Sequence, residues 1–337
     1  MLELNSRIEG TVFGLAYGEG IALPSAVHRL GILAPKRIAR MKTLGEFADE
    51  NKQTTRPFPY THAQPGPMLN PSPADDTEWF AFVADYLLNG KKSSDVWLEL
   101  SHQIDSIKAR TGTKIALKNL FNSQIPPETG HDNPHYFDDI SLVRAIAIAT
   151  LHFKDKAKLN EAVITDISVT HSEDGLYCAI SIAQLTASIL RGENKAAAIE
   201  DALNSLPNDS WSQDQVAKAL SIAGKNSNTL SRAMDLEHEF IENIYAYPVS
   251  APETLGLLLA HFAGAETAED LLFSSLLHKR KLDSLPALAG AIAGALHGTS
   301  WIPNQSKNDA IALDGVCIPA LKGIKLRDLI NRINKSH

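Results

Sequence analysis

The sequence predicts an all-α fold, and three observations carry that prediction. Apolar residues recur at three-to-four-residue spacing through most of the 337 positions, and strand-type alternation is nearly absent. Dense Ala and Leu runs open behind capping residues such as Ser212, followed three positions later by Gln215. Small core residues suit close helix packing, and no repeat period indicates a solenoid, so residues 1–337 read as a single-domain helical bundle.

Composition narrows the function. Apolar residues make up 44% and charged residues 21% of the chain, a balance that supports a sizeable core. The formal charge of -7 is spread along the sequence, which argues against a basic nucleic-acid surface and favours small or cationic partners. Cys178 and Cys317 each lie in an apolar segment, the usage expected of a reducing, cytoplasmic setting, and no spaced Cys/His set suggests structural zinc. The N-terminal residues lack the basic start and apolar run of a signal peptide. The longest weakly polar run, Leu285 to Leu296, falls far short of the roughly 20 residues that span a bilayer.

Taken in order, the first helical stretch carries Gly10, Gly14 and Gly18. Each glycine costs a helix about 1 kcal/mol relative to alanine, so the interval predicts a smooth stripe that another helix approaches closely. The alternative, a phosphate-cradling loop, has neither the nucleotide-binding spacing nor a preceding strand. From Thr43 to Pro73 the periodicity is lost in a long loop rich in Pro, Gln, Asn and Thr, with Phe58, Tyr60 and His62. Ser72 then reads as an N-cap with Pro73 at the first helical position, opening a helix that carries Asp75 and Asp76 and runs to about Leu88. Acids in a first turn can serve the helix dipole alone.

A further helix is predicted from Ser93 to Ala109, then a polar loop from Asn119 to Phe137 holding His131, His135, Tyr136 and Phe137. These loop aromatics suit stacking on a base or packing within the loop. Helical spacing follows at 140–153, 158–169, 174–190, 194–205, 212–223, 228–246, 252–263 and 267–278. Arg144, within an apolar helix, calls for a structural partner such as a helix end or Asp139. A small-residue helix from Leu285 to Gly298 begins with Asp283 or Ser284 at its cap. No strand-Ser-helix elbow or Cys-His motif supports a nucleophilic serine or cysteine.

The stations at Gly10 to Glu19, Ala74-Asp75-Asp76-Thr77, Asp139-Ile140-Ser141-Leu142-Val143-Arg144, Thr170-His171, and Asp283-Ser284 with its Ala/Gly helix resemble, in that order, the ADP-ribosylglycohydrolase family. That family includes the dinitrogenase-reductase-activating glycohydrolases. The resemblance implies an all-α bundle of that type, with Mg²⁺ ions held by Asp75, Asp76, Asp283 and Ser284. It also implies a glycosidase that removes ADP-ribose from a protein or a small nucleoside-like conjugate. Asp75, Asp76 and Asp283 would be the catalytic acids, and Glu19, Ser141 and His171 would face the substrate.

Four positions depart from the family pattern: Ala74 replaces a threonine, Lys281 an aspartate, Ala26 a glutamate, and Glu19 an aspartate. Exchanging a carboxylate for an ammonium changes the local charge by about two units. The exchange leads to the expectation that Lys281 sits among Asp75, Asp76 and Asp283 in place of one cation. A family member that binds ADP-ribose or a nucleotide without turnover is the second reading, and a purely structural helical shell the third.

Overall fold

The computed structural model describes residues 2–22, 73–241, 248–278 and 280–337. The long loop with Phe58, Tyr60 and His62, together with Ser72 and Ala26, lies outside the described residues. Within them every regular element is a helix, and no strand forms beyond isolated bridges at Asp138–Ser250 and Ala312–Lys325. The helices are α1 (Leu4–Ala22), α2 (Asp75–Leu88), α3 (Ser93–Ser101), α4 (Thr111–Phe121), α5 (Glu128–His131), α6 (Ile140–His152), α7 (Lys156–Ile167) and α8 (Glu173–Arg191). They continue with α9 (Lys195–Asn204), α10 (Trp211–Ala223), α11 (Thr229–Asp235), α12 (Ala251–Gly264), α13 (Ala268–Ser275), α14 (Leu285–His297) and α15 (Leu326–Lys335).

Three helices form the centre. Residues 285–295 of α14, 140–150 of α6 and 75–84 of α2 are buried on every side. The apolar stripe on α2 therefore underestimates its burial. Helix α14 packs along α1, with Gly294, Gly290 and Pro286 facing Gly10, Gly14 and Gly18 in antiparallel register. A Cβ built on any of these three α1 glycines would overlap the carbonyl oxygen opposite, so the stripe is a backbone-to-backbone seam. This seam lays the end of α1 beside the start of α14.

Several boundaries differ from the periodicity. Helix α2 starts at Asp75 behind Ala74, whose side chain caps nothing. Helix α3 ends at Ser101, and Arg110 stands at the N-cap of the separate helix α4. Ser210, rather than Ser212, caps α10 by accepting from the Gln213 amide. The stretch predicted helical from 228 to 246 breaks after α11 into a short π-helical turn, Leu236–Phe240. Between α14 and α15 the chain runs irregularly, tied to α2 by the Glu78 carboxylate, which accepts the backbone N–H groups of Val316, Cys317 and Ile318 at 2.7–2.9 Å. No helix among the described residues is long and apolar enough to cross a membrane.

Candidate active site

Four helix starts meet at one buried place. They belong to α2 with Asp75 and Asp76, α4 with Arg110, α6 with Asp138 and Asp139, and α14 with Asp283 and Ser284. Each helix N-terminus carries partial positive charge, so the convergence favours the carboxylates that collect there.

Glu19, near the end of α1, is the acceptor that α2 lacks in its own sequence. Its Oε2 takes hydrogen bonds from the Ala74 amide (2.8 Å), the Thr77 amide (3.0 Å) and the Thr77 hydroxyl (2.6 Å), and its Oε1 takes the Asp76 amide at 2.7 Å. The cap of this helix is thus supplied from another helix, 55 positions away at its nearest partner.

Asp76 and Asp283 share one neighbourhood despite their separation. The Ser284 hydroxyl donates to Asp76 Oδ1 at 3.2 Å across 208 positions. Arg110 joins the whole group. Its Nη2 donates to Ser284 Oγ at 2.7 Å and lies 3.0 Å from Asp283 Oδ2 and 3.4 Å from Asp76 Oδ1. Its Nη1 donates to Asp138 Oδ1 at 2.9 Å and to Asp139 Oδ1. Burial alone would lower the Arg110 pKa, but Asp283, Asp138, Asp139 and Asp76 outweigh it and hold the guanidinium well above its ordinary value.

Lys281 does not join this group as the charge argument expects. It is buried and pairs with Glu253 of α12. Burial lowers its pKa while Glu253 and Asp139 oppose that effect. The Lys281 side chain is turned to α12, and Arg110 contacts Asp76 and Asp283 instead. Sequence reasoning passed over Arg110 because it stands just past the helix expected from Ser93 to Ala109, where a surface arginine is ordinary. The loss of a ligand carboxylate at Lys281 was the one hint that a cation had to enter.

Ser141 and His171 lie under the site. The Ser141 hydroxyl faces the Asp138 carbonyl at 3.1 Å and the Gly175 carbonyl at 2.9 Å, which fixes the turn presenting Asp138 and Asp139. His171 is fully buried, with Nδ1 2.7 Å from the Thr170 hydroxyl. Burial, then Arg144 and Arg110, push its pKa well below the usual imidazole value, so the ring is neutral. Arg144 finds its partner in Asp166 rather than Asp139, with Nε to Oδ2 at 2.9 Å and Nη2 to the Asp166 carbonyl at 2.7 Å. Its guanidinium also covers Trp97 at 4.4 Å.

The donor set limits which metals this centre accepts. A cation held by Asp76 Oδ1, Asp283 Oδ2 and Ser284 Oγ does not fit, because these three oxygens already face Arg110 Nη2. Glu19, Asp75 and Asp76 each bring a carboxylate oxygen to within 4.8 Å of the others, hard donors of the kind a divalent ion takes, with the Glu19 oxygens shared between such an ion and the amides at the start of α2. A cleft of about 300 Å³ opens at the far end of α14, beside Lys195, Phe262, Leu271, Leu296 and His297. The Lys195 ammonium there is spent on the Ala263 and Ala265 carbonyls, and the cleft holds none of the converging acids.

Comparison with known proteins bears on the fold and the family. A solved structure titled "ADP-ribosylglycohydrolase-related protein complex" is 18% identical, covers 99% of this chain and 98% of its own, and superposes with a TM-score of 0.63. At that identity the likeness speaks for the fold. No curated protein matches the sequence significantly. The family model described as ADP-ribosylglycohydrolase matches residues 2–329, and by that near-complete match the chain belongs to the ADP-ribosylglycohydrolase family.

Proposed function

We propose that this protein is a glycosidase that hydrolyses an ADP-ribosyl, or related nucleoside-like, N- or O-glycosidic bond on a protein or a small conjugate. The observation that carries this reading is the meeting of Asp76 with Asp283 and Ser284, 208 positions apart, at four helix N-termini. Such a centre concentrates carboxylates where a sugar and a water can be held together. An ionised carboxylate there accepts the proton of the attacking water, while the helix ends offset the negative charge that builds up.

In this reading Asp75, Asp76 and Asp283 orient and deprotonate the water, and Ser284 holds Asp76 in register. Glu19, Ser141 and His171 act by positioning: Glu19 sets the first turn of α2, Ser141 sets the Asp138–Asp139 turn, and neutral His171 packs below it. Glu19, Asp75 and Asp76 are the residues that would hold one Mg²⁺, an ion that when bound supplies an anchor for sugar hydroxyls. Two buried, unpaired cysteines suit a cytoplasmic setting.

The test is release of free ADP-ribose from ADP-ribosylated protein and from small ADP-ribosyl conjugates, followed by mass spectrometry with Mg²⁺ present. Asp76→Asn and Asp283→Asn are each expected to lower the rate by about 100-fold or more. If ADP-ribose raises the melting temperature but no conjugate is cleaved, the protein binds without turnover and the glycosidase reading fails.

A further inference from the structure

We propose that Arg110 is a built-in cation, taking the place between Asp76 and Asp283 that a second divalent metal ion would otherwise fill. Its fork donates to Ser284 and Asp76 through Nη2 and to Asp138 and Asp139 through Nη1, and pairs with the Asp283 carboxylate, so one planar group ties together three separate acidic segments. Its side chain is only 9% exposed, and the carboxylates around it are 7% exposed or less.

The chemistry separates an arginine from a metal in three ways. A guanidinium is charged at every relevant pH, it cannot be removed by a chelator, and it approaches oxygen at hydrogen-bond distance rather than at the roughly 2.0–2.1 Å of a magnesium ligand. Nη2 donates to Ser284 Oγ and Asp76 Oδ1 and lies against Asp283 Oδ2, three oxygens that an ion set between Asp76 and Asp283 would contest. For an ion to take those three oxygens, Arg110 must leave, and its departure strands a buried charge. The position of Lys281 is consistent with this: its ammonium is drawn off to Glu253, while Arg110 contacts both Asp76 and Asp283.

The inference concerns ion stoichiometry and does not depend on the glycosidase reading, so failure of either leaves the other to be judged by itself. The experiment is titration of the full-length wild-type chain and of Arg110→Ala with Mn²⁺, counting bound ions by electron paramagnetic resonance, with Mg²⁺ calorimetry in parallel. Wild type is expected to take up at most one ion. Arg110→Ala is expected to gain one more and to melt about 5 °C higher in millimolar Mn²⁺ than without it, a rise that the second ion does not give wild type. Arg110→Gln, which keeps some of the hydrogen bonding, is run beside it in case the alanine variant does not fold without metal. Two tightly bound ions in wild type overturn the proposal. So does a folded Arg110 variant with the wild-type ion count.

Discussion

At Glu19, Asp138 and Arg110, single side chains decide the state of whole helix ends. Glu19 is fully buried and spends both oxygens on four donors at the start of α2. Glu19→Gln removes the charge and turns one acceptor into a donor facing amides, so it is expected to cost about 2 kcal/mol, measured by urea denaturation. Asp138 behaves in the opposite sense. Burial raises its pKa from 3.8 to about 6, with Arg110 opposing and Asp139 adding to the rise. The folded state therefore holds the proton more tightly than the unfolded one, and the stabilisation from this group is complete below pH 3.8 and lost as the pH rises through about 6. Asp138→Asn lacks that loss, so its melting temperature relative to wild type is expected to climb between pH 4 and pH 7; a constant difference would refute the assignment. Asp75, Asp76, Asp283 and Ser284 could be picked out in the sequence because their order follows a known pattern. Arg110 could not, since its partners stand between 28 and 174 positions away and nothing beside it marks a buried cation.

Between elements, the governing contact is the seam of α1 and α14. Glycine spacing alone announced that a helix would lie against α1, and the small-residue helix near the end of the chain proved to be that partner. Gly14→Ala forces a methyl group into the Gly290 carbonyl, backbone against backbone with no side chain to move aside. Overpacking of this kind typically costs about 1–3 kcal/mol, and separation of the two helices would also move Glu19 away from α2. The expected outcome is a fall in stability by denaturant titration together with loss of activity, whereas the same substitution at Gly224, where the nearest atom is 3.4 Å away and φ is -65°, leaves the seam intact. Helix ends were less legible than helix existence. Periodicity found the helices, but the first turn of α2 is held by a residue of α1, and such a cap leaves no trace in the sequence around Asp75.

For the whole molecule, one large cluster of buried side chains extends from Ile8 to Ile333 and includes residues from nearly every helix. The last helix, α15, packs on both α1 and α2, and Glu78 fastens the irregular segment before it. On this basis we propose that residues 1–337 form one domain and expect a single calorimetric unfolding transition; two resolved transitions would divide it. The all-α class was plain in the sequence because it depends on spacing summed over many residues. The irregular path from 299 to 325 was not, because three backbone amides gathered by one distant carboxylate take the place of local structure there.

The glycine seam also has a consequence for how the chain is made. Residues 4–22 leave the ribosome roughly 260 residues ahead of residues 285–297, and at ordinary elongation rates that interval lasts about 10–50 s. Throughout it, α1 has three glycines that weaken it as an isolated helix, and its main packing partner has not been made. Its final burial therefore waits until synthesis is almost finished, and the same event delivers Glu19 to the acids it organises. A nascent chain stalled before residue 285 should leave its leading segment open to protease, with the active centre still unassembled.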